Sequence, residues 1–382
     1  MDGVVEKIQN AKLLFIGGAP RSGTTLLSNL LDSHPNMLVF PLEHSVFEQF
    51  YRNQNNLEYF TADFISKKNT GQQAILADEH RLKNYAYKIR KEYSNDLLIS
   101  IDAVAFRKYY LEYIGNSIIT LEIIFKALAF ALVQSNEYAR KKLETLQYVV
   151  FKQPFFTEVF AKEAFDIYPE FRFLQILRNP ISRYTSAKTR RLYQKNKNGQ
   201  RLGHINRVNF VLGHVEIDQT SINLAKRNLK DIGEESYKLI YFEELVENSK
   251  KNLQSISNWL DLKDENTPTS PTRLGVPAMS GSVFSDKTTL DNTALKRVDQ
   301  YHKITNWNER QLHLLYLKEW PPTKLSTQNK VFALFYLLFP FKGSSLQHYI
   351  FQLVTMYQFV FFKENRLHIK AKKGLVAVSG AT

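Results

Sequence analysis

The chain has no cysteine. Disulfides, thiolate zinc sites and cysteine nucleophiles are thereby excluded, and a reducing compartment is the simpler expectation. Residues Met1 to Lys12 lack the apolar run of a signal peptide or N-terminal anchor, so a cytoplasmic protein is expected. No histidine and carboxylate spacing matches a metal-ligand cluster, and no metal is expected. Acidic residues are outnumbered, 37 against 51 Lys and Arg, for a formal net charge of +14. Such a surplus favours anionic partners (nucleotides, acidic glycans, lipid headgroups, nucleic acid) without choosing among them. What the chain has in quantity is apolar residues, 44% of 382, enough for one large core or a core with an appendage.

Leu13–Ile16 is a short apolar run meeting glycine, which suits a strand buried on both faces of a parallel sheet. Thr25–Leu31 then reads as a helix burying Leu26, Leu27, Leu30 and Leu31, and it ends before His34–Pro35. Met37–Phe40, Tyr148–Phe151, Phe171–Leu177 and Lys238–Tyr241 are further strand candidates, separated by helical patterns such as Thr157–Ile167 and Ser221–Leu229. Strands alternating with helices predict an α/β fold, a P-loop-type parallel β-sheet flanked by helices. Residues 48–147 read as a helical insertion, with Ile118–Leu132 its clearest helix and acceptor binding its expected role. Residues 266–285 are rich in Pro, Thr, Ser and Gly and read as a surface loop. Residues 1–325 are expected to form the main domain, and 326–382 a hydrophobic and basic helical appendage. Its apolar blocks, 331–341 and 346–362, fall short of the ~20 predominantly apolar residues of a membrane span. With the lysines that follow, 331–373 suits peripheral contact with an anionic bilayer, or packing on the main domain.

Gly18-Ala19-Pro20-Arg21-Ser22-Gly23-Thr24-Thr25 lies between the first strand and the first helix of this pattern. Glycines let successive N–H groups turn inward, and a helix N-terminus adds positive potential, so the loop is read as a phosphate site. Its glycines and Thr25 match the spacing of a nucleoside-triphosphate loop, but Thr24 stands where the phosphate-gripping lysine belongs. That argues against triphosphate cleavage and for a donor with a single 5′-phosphate, with Arg21 supplying the cation. Further on, Leu177-Arg178-Asn179-Pro180 ends a strand, and Ser186 and Arg190 share one helix face four residues apart. Arginine plus a hydroxyl makes a phosphate clamp, although an Arg-rich helix is also simply a solvated face. Lys152 ends a buried strand, where a lysine either meets an anion or snorkels to solvent.

Leu14 to Pro35, with its P-R-S-G-T-T loop and Leu31-Asp32-Ser33-His34-Pro35, resembles the start of sulfotransferases dependent on 3′-phosphoadenosine 5′-phosphosulfate (PAPS). The resemblance is to the bacterial carbohydrate-type and tyrosylprotein branches, and it runs to about Leu317. It implies that Pro20, Arg21, Ser22, Gly23, Thr24 and Thr25 hold the 5′-phosphosulfate, and that Arg178, Ser186 and Arg190 hold the 3′-phosphate. Asn179 replaces the family's usual aspartate. Tyr241, in Tyr241-Phe242-Glu243-Glu244-Leu245, resembles the tyrosine beside the nucleotide, and Lys152 the K-x-P lysine that stabilises the transferring group. Glu43 falls near the family's catalytic glutamate; His44 is the rival base, and a surface Glu-His pair the bland alternative. Ser282 and Ser285 are candidate donor contacts in the later loop, and Arg297 sits where the family often has a cation. The family's K-G-x-x-G-x-W-K segment is absent.

The implied function is metal-independent sulfuryl transfer from PAPS to a hydroxyl acceptor such as a carbohydrate or glycolipid, leaving PAP. Nucleic acid is not an expected partner. A P-loop kinase, or a basic membrane-surface protein without catalysis, are the alternatives.

Overall fold

The computed structural model describes residues 2–66, 73–82, 101–115, 117–197, 204–262 and 270–278, together with 305, 309 and 313. The five main strands are β1 (Lys12–Gly17), β2 (Met37–Glu43), β3 (Tyr148–Lys152), β4 (Arg172–Leu177) and β5 (Tyr237–Tyr241). They form one sheet in the order β2-β3-β1-β4-β5, every pair parallel. Parallel strands need crossovers, and the helices between them supply these. β1 is buried from Leu13 onward because strands flank it on both sides and helices cover both faces. The chain leaves β1 toward β2 and leaves β4 toward β5, so the direction of winding reverses between β1 and β4. In open α/β sheets the ligand crevice lies at such a point, outside the carboxyl ends of the strands.

Pro41 lies inside β2, which is longer than the run Met37–Phe40 suggests. β2 is an edge strand, and its pairing with β3 shifts register between Val39 and Glu43. A residue without an N–H is tolerated there, and the shift sets Glu43 opposite Lys152.

The helices used below are α1 (Asp2–Asn10), α2 (Thr24–Asp32), α3 (Val46–Arg52), α4 (Ala103–Gly115), α5 (Leu121–Ser135), α6 (Phe156–Ile167), α7 (Pro180–Lys197), α8 (His204–Ile232), α9 (Phe242–Glu247) and α10 (Ser249–Trp259). One sheet face carries a phenylalanine cluster centred on Phe15, whose ring lies 4.7–6.3 Å from those of Phe47, Phe125, Phe151, Phe171 and Phe173. The other face packs Leu14 and Ile16 with Leu26, Leu27, Leu30 and Leu31 of α2 and Leu253 and Ile256 of α10. Phe125 belongs to α5, so the helix read as part of an insertion packs on the first face of the sheet itself.

That helix begins at Leu121, later than its apolar pattern suggests. Ile118 is exposed, and the Thr120 side chain caps the helix by accepting from the Ile123 N–H at 3.2 Å. Two buried lysines close helix ends. Lys126 Nζ donates to the carbonyls of Ile8 (2.9 Å), Gln9 (3.0 Å) and Ala11 at the end of α1. Lys142 Nζ donates to the carbonyls of Asp32 (3.0 Å) and His34 (2.5 Å) at the end of α2. Cations there satisfy orphan carbonyls and oppose the negative end of the helix dipole.

Within the stretch 266–285, read as a surface loop, two short strands, β6 (Thr272–Arg273) and β7 (Val276–Pro277), form a tight hairpin. Leu274 and Gly275 turn at positive φ, 49° and 75°, and buried Asp32 anchors the turn. Asp32 Oδ2 accepts from Thr272 Oγ1 at 2.7 Å and from the Gly275 N–H at 3.0 Å. The apolar blocks and basic tail of 326–382 lie outside the described residues. Among the described residues no helix is long and apolar enough to cross a membrane.

Candidate functional site

The loop from Gly18 to Gly23 leaves β1 beside the switch point and enters α2. Gly18 (φ 135°) and Gly23 (φ 109°) need glycine for space as well as for conformation. A Cβ on Gly18 would lie 2.5 Å from the Ile176 carbonyl, and one on Gly23 would lie 2.3 Å from the Phe242 ring. Arg21 also takes positive φ, 74°, an uncommon conformation for a residue with a side chain. Its guanidinium Nε and Nη2 donate to Ser186 Oγ at 3.4 and 3.2 Å. Arg21 and Ser186, 165 residues apart in sequence, thus meet in one place.

Arg178, at the end of β4, donates from Nη1 to the Arg21 carbonyl at 3.1 Å and stacks over the Phe242 ring at 4.1 Å. Its buried Nε has no hydrogen-bond partner among the described residues, and neither does the buried Ser22 Oγ. Buried donors are rarely left unpaired, so two at one loop point to a ligand acceptor. Burial lowers the Arg178 pKa to about 10, against the opposing pull of Glu243. Asn179 caps α7: its Oδ1 accepts from the N–H groups of Ile181 (3.0 Å) and Ser182 (3.2 Å). An aspartate would do the same, so the departure from the expected residue keeps the cap.

On the other side of the loop, three candidates converge. Lys152 Nζ donates to Thr25 Oγ1 at 2.9 Å and to Glu43 Oε1 at 2.8 Å. Glu43 keeps about a quarter of its side chain exposed (26%), while Lys152 is buried (9%). Burial raises the Glu43 pKa, but Lys152, Arg190 and Arg273 outweigh it and hold the carboxylate below its ordinary value. Burial likewise lowers Lys152, only partly offset by Glu43. The pair combines a strong cation with an ionised, reachable carboxylate at the ends of adjacent strands.

His44, the rival base, lies in the core instead. Its ring is enclosed by Phe47, Phe125 and Phe151, with centroids 6.0, 5.1 and 5.6 Å away. Its Nδ1 accepts from the Val46 N–H at 3.2 Å, and burial lowers its pKa to about 3. Consecutive strand residues face opposite sides, so with Glu43 at the strand end His44 falls on the aromatic face. Tyr241 stands 40% exposed at the end of β5. Ser282, Ser285 and Arg297 lie outside the described residues.

Four residues not singled out by the sequence belong to this region. Arg183, fully buried in α7, donates to the Pro20 carbonyl (2.9 Å), the His214 carbonyl (2.8 Å) and both oxygens of Asp218 in α8 (2.9 Å to Oδ2). Burial raises Asp218 to about 6 against the pull of Arg183. Glu158 of α6 accepts from the Gly18 N–H at 2.8 Å. Arg273, on the Asp32-anchored hairpin, acts on both Glu43 and Lys152 through its charge. Asp218 and Arg273 are remote in sequence from their partners, and no local pattern marks them. Arg183 was hidden in an Arg-rich helix. Glu158 had a signal: it is an acid on the apolar face of a helix.

Among the described residues no group of three or more His, Asp and Glu side chains could hold a metal ion. The arrangement can bind an anion at the loop, a second anion near Arg178, and a proton at Glu43.

A family model described as "Sulfotransferase family" matches residues 14–266. No curated protein matches the chain. Solved structures similar to it include the sulfotransferase domain from the curacin biosynthetic pathway, at 16% identity and TM-score 0.47, covering 82% of this chain and 99% of that one. Another is the sulfotransferase domain from the Synechococcus PCC 7002 olefin synthase, at 15% and 0.42, covering 87% and 97%. A third is a sulfotransferase from Alicyclobacillus acidocaldarius, at 15% and 0.34, covering 78% and 98%.

Proposed function

The chain belongs to the sulfotransferase family, and from that premise we propose that it transfers the sulfuryl group of PAPS to an acceptor hydroxyl, with Glu43 as general base. The observation that carries the reading is the junction of Glu43, Lys152 and Thr25, which joins a carboxylate, a cation and the phosphate loop within hydrogen-bond reach. In this reading Pro20 to Thr25 hold the 5′-phosphosulfate, and Arg178, Ser186 and Arg190 hold the 3′-phosphate. Tyr241 borders the nucleotide.

Sulfuryl transfer is an in-line displacement. The acceptor oxygen forms a bond to sulfur as the bond from sulfur to the bridging phosphate oxygen breaks. The acceptor's proton passes to Glu43, and the electron pair of the broken bond stays on PAP. Glu43 is ionised at neutral pH because Lys152, Arg190 and Arg273 outweigh its burial, so it is in the form that accepts a proton. When Lys152 Nζ turns to the bridging oxygen, it stabilises the charge growing there and releases Glu43 Oε1 toward the acceptor. Loop and clamp together supply the alignment. Arginine and lysine meet the leaving phosphate, and no step calls on a metal.

Thermal unfolding with PAP, ADP and ATP, each run once with a chelator and once with Mg²⁺, tests the donor. PAP should raise Tm and ADP should raise it less; a response confined to ATP with Mg²⁺ would favour a P-loop kinase instead.

A further inference from the structure

Glu158 is buried directly beneath the phosphate loop, where nothing in the transfer chemistry calls for a carboxylate. Its Oε2 accepts from the Gly18 N–H at 2.8 Å, and its Oε1 lies 3.4 Å from Ser221 Oγ. The start of the loop is shaped to it, since a Cβ on Gly17 would lie 2.6 Å from Oε2. The groups around it close a ring of hydrogen bonds. Gln175 Nε2 of β4 donates to Ser221 Oγ of α8 at 2.9 Å. The Tyr237 hydroxyl of β5 donates to Gln175 Oε1. Asn228 Nδ2 of α8 donates to Tyr237 Oη at 3.1 Å and to the Glu158 carbonyl at 2.8 Å.

Among the described residues, Arg227 bonds the Glu158 main chain and Tyr237 is coupled to its carboxylate through charge. Arg227 is spent on main-chain carbonyls, those of Glu158 and Val159 at 3.5 and 3.4 Å, and on Asn228 Oδ1 at 2.7 Å. Tyr237 is held neutral, its pKa raised by burial and by Glu158 itself. Burial accordingly lifts Glu158 to about 7, with the Gly18 and Ser221 hydrogen bonds pulling the other way. The geometry serves a neutral acid equally well: Oε2 still accepts from Gly18, and an Oε1–H donates to Ser221 Oγ.

We infer that Glu158 is a positioning residue for the donor loop, and that it takes up a proton from solvent when the anionic donor binds. The inference rests on the donor reading above. An anion placed on the loop lies on the far side of the Gly18 amide and disfavours the ionised carboxylate below it. Protonation keeps the hydrogen bond that sets the start of the loop and removes the repulsion. Donor affinity therefore falls as pH rises through about 7, by at most about tenfold per pH unit for one full proton.

Calorimetric titration of PAP, near neutrality and in buffers of different ionisation enthalpy, counts the protons taken up. Glu158→Gln mimics the neutral acid, its amide oxygen accepting from Gly18 and its amide nitrogen donating to Ser221. The phosphates of PAP titrate in the same range, and comparing the two proteins cancels that contribution. The wild type should take up more protons per PAP than Glu158→Gln and lose affinity more steeply above neutrality. Equal uptake and parallel pH profiles would overturn the inference. If the variant does not unfold cooperatively, infrared difference spectra of the wild type replace it. PAP should then increase a carboxylic-acid C=O band whose frequency shifts in Ser221→Ala; no increase overturns the inference. PAP binding without extra uptake removes this inference alone, whereas no PAP binding at all removes the donor reading with it.

Discussion

In the proposed transfer, Lys152 takes its role from what lies on either side of it. Its Nζ lies between Thr25 Oγ1 and Glu43 Oε1, a neutral hydroxyl on the loop side and a carboxylate on the other. Glu43 and His44 are neighbours in sequence with opposite surroundings, and their substitutions should separate cleanly. Glu43→Gln should remove turnover and lower Tm only modestly, since the amide oxygen still accepts from Lys152 and the side chain is a quarter exposed. His44→Asn, set among Phe47, Phe125 and Phe151, should lower Tm more than it lowers kcat, because it disturbs a packed aromatic site. The two assays together check the assignment of the base. Arg178→Ala should weaken PAP much more than adenosine 5′-phosphosulfate, which lacks the 3′-phosphate; calorimetric titration of both ligands reads this, and equal losses would mean that the clamp is elsewhere. Residue types were legible here wherever a local rule applied. A glycine next to a strand, a lysine at a buried strand end and an arginine before Asn-Pro each break the pattern around them. The sequence favoured Glu43 over His44 by resemblance alone; the opposite surroundings of the two side chains were not legible, because they depend on the end of β2 and its register shift.

Among the elements, α7 acts as the spine of the proposed donor site. Its residues Arg183, Ser186 and Arg190 lie along one stretch. Arg183 holds the Pro20 carbonyl and Ser186 accepts from Arg21, while the charge of Arg190 acts on Glu43. The salt bridge of Arg183 with Asp218 ties this helix to α8. Removing one partner of a buried pair leaves an uncompensated charge, at a cost of about 3–5 kcal/mol, whereas replacing both with apolar residues is often tolerated. Denaturant unfolding of Arg183→Met should therefore show a large loss, and Arg183→Met/Asp218→Leu should recover much of it. PAP affinity should recover in neither, because the Pro20 carbonyl has lost its donor in both. Stability and affinity returning together would mean that Arg183 has no part in shaping the loop. The existence of α7 was legible from Pro180 and the residues after it. Its buried face was not, because Asp218 lies 35 residues away and only the tertiary fold brings it close.

For the molecule as a whole, the strands were legible because residues buried on both faces of a parallel sheet form unbroken apolar runs, as in Leu13–Ile16. Their order was not, since the pairing of β1 with β3 and β4 joins segments more than a hundred residues apart. Burial of titratable groups gives the fold a pH dependence with two opposing parts. Glu158 has a folded pKa raised from 4.5 to about 7, so its stabilising contribution is complete below 4.5 and is lost as pH rises through 7. At 1.36 kcal/mol per unit this amounts to about 3 kcal/mol in order of magnitude. His44 and His313 are lowered from 6.5 to about 3 and about 4, so their contribution is present above 6.5 and is lost as pH falls toward those values. Relative to the wild type, Glu158→Gln should gain stability as pH rises from about 4.5 to 7, as urea titrations across that range would show. Sulfuryl transfer from PAPS with Glu43 as base is the proposed activity. Its most direct test is transfer from radiolabelled PAPS to hydroxyl acceptors of the native host, with a chelator present, by the wild type and by Glu43→Gln. Labelled product from the wild type alone, while both proteins bind PAP equally, is the predicted result. Undiminished transfer by Glu43→Gln, or no transfer by a wild type that binds PAP, would contradict it.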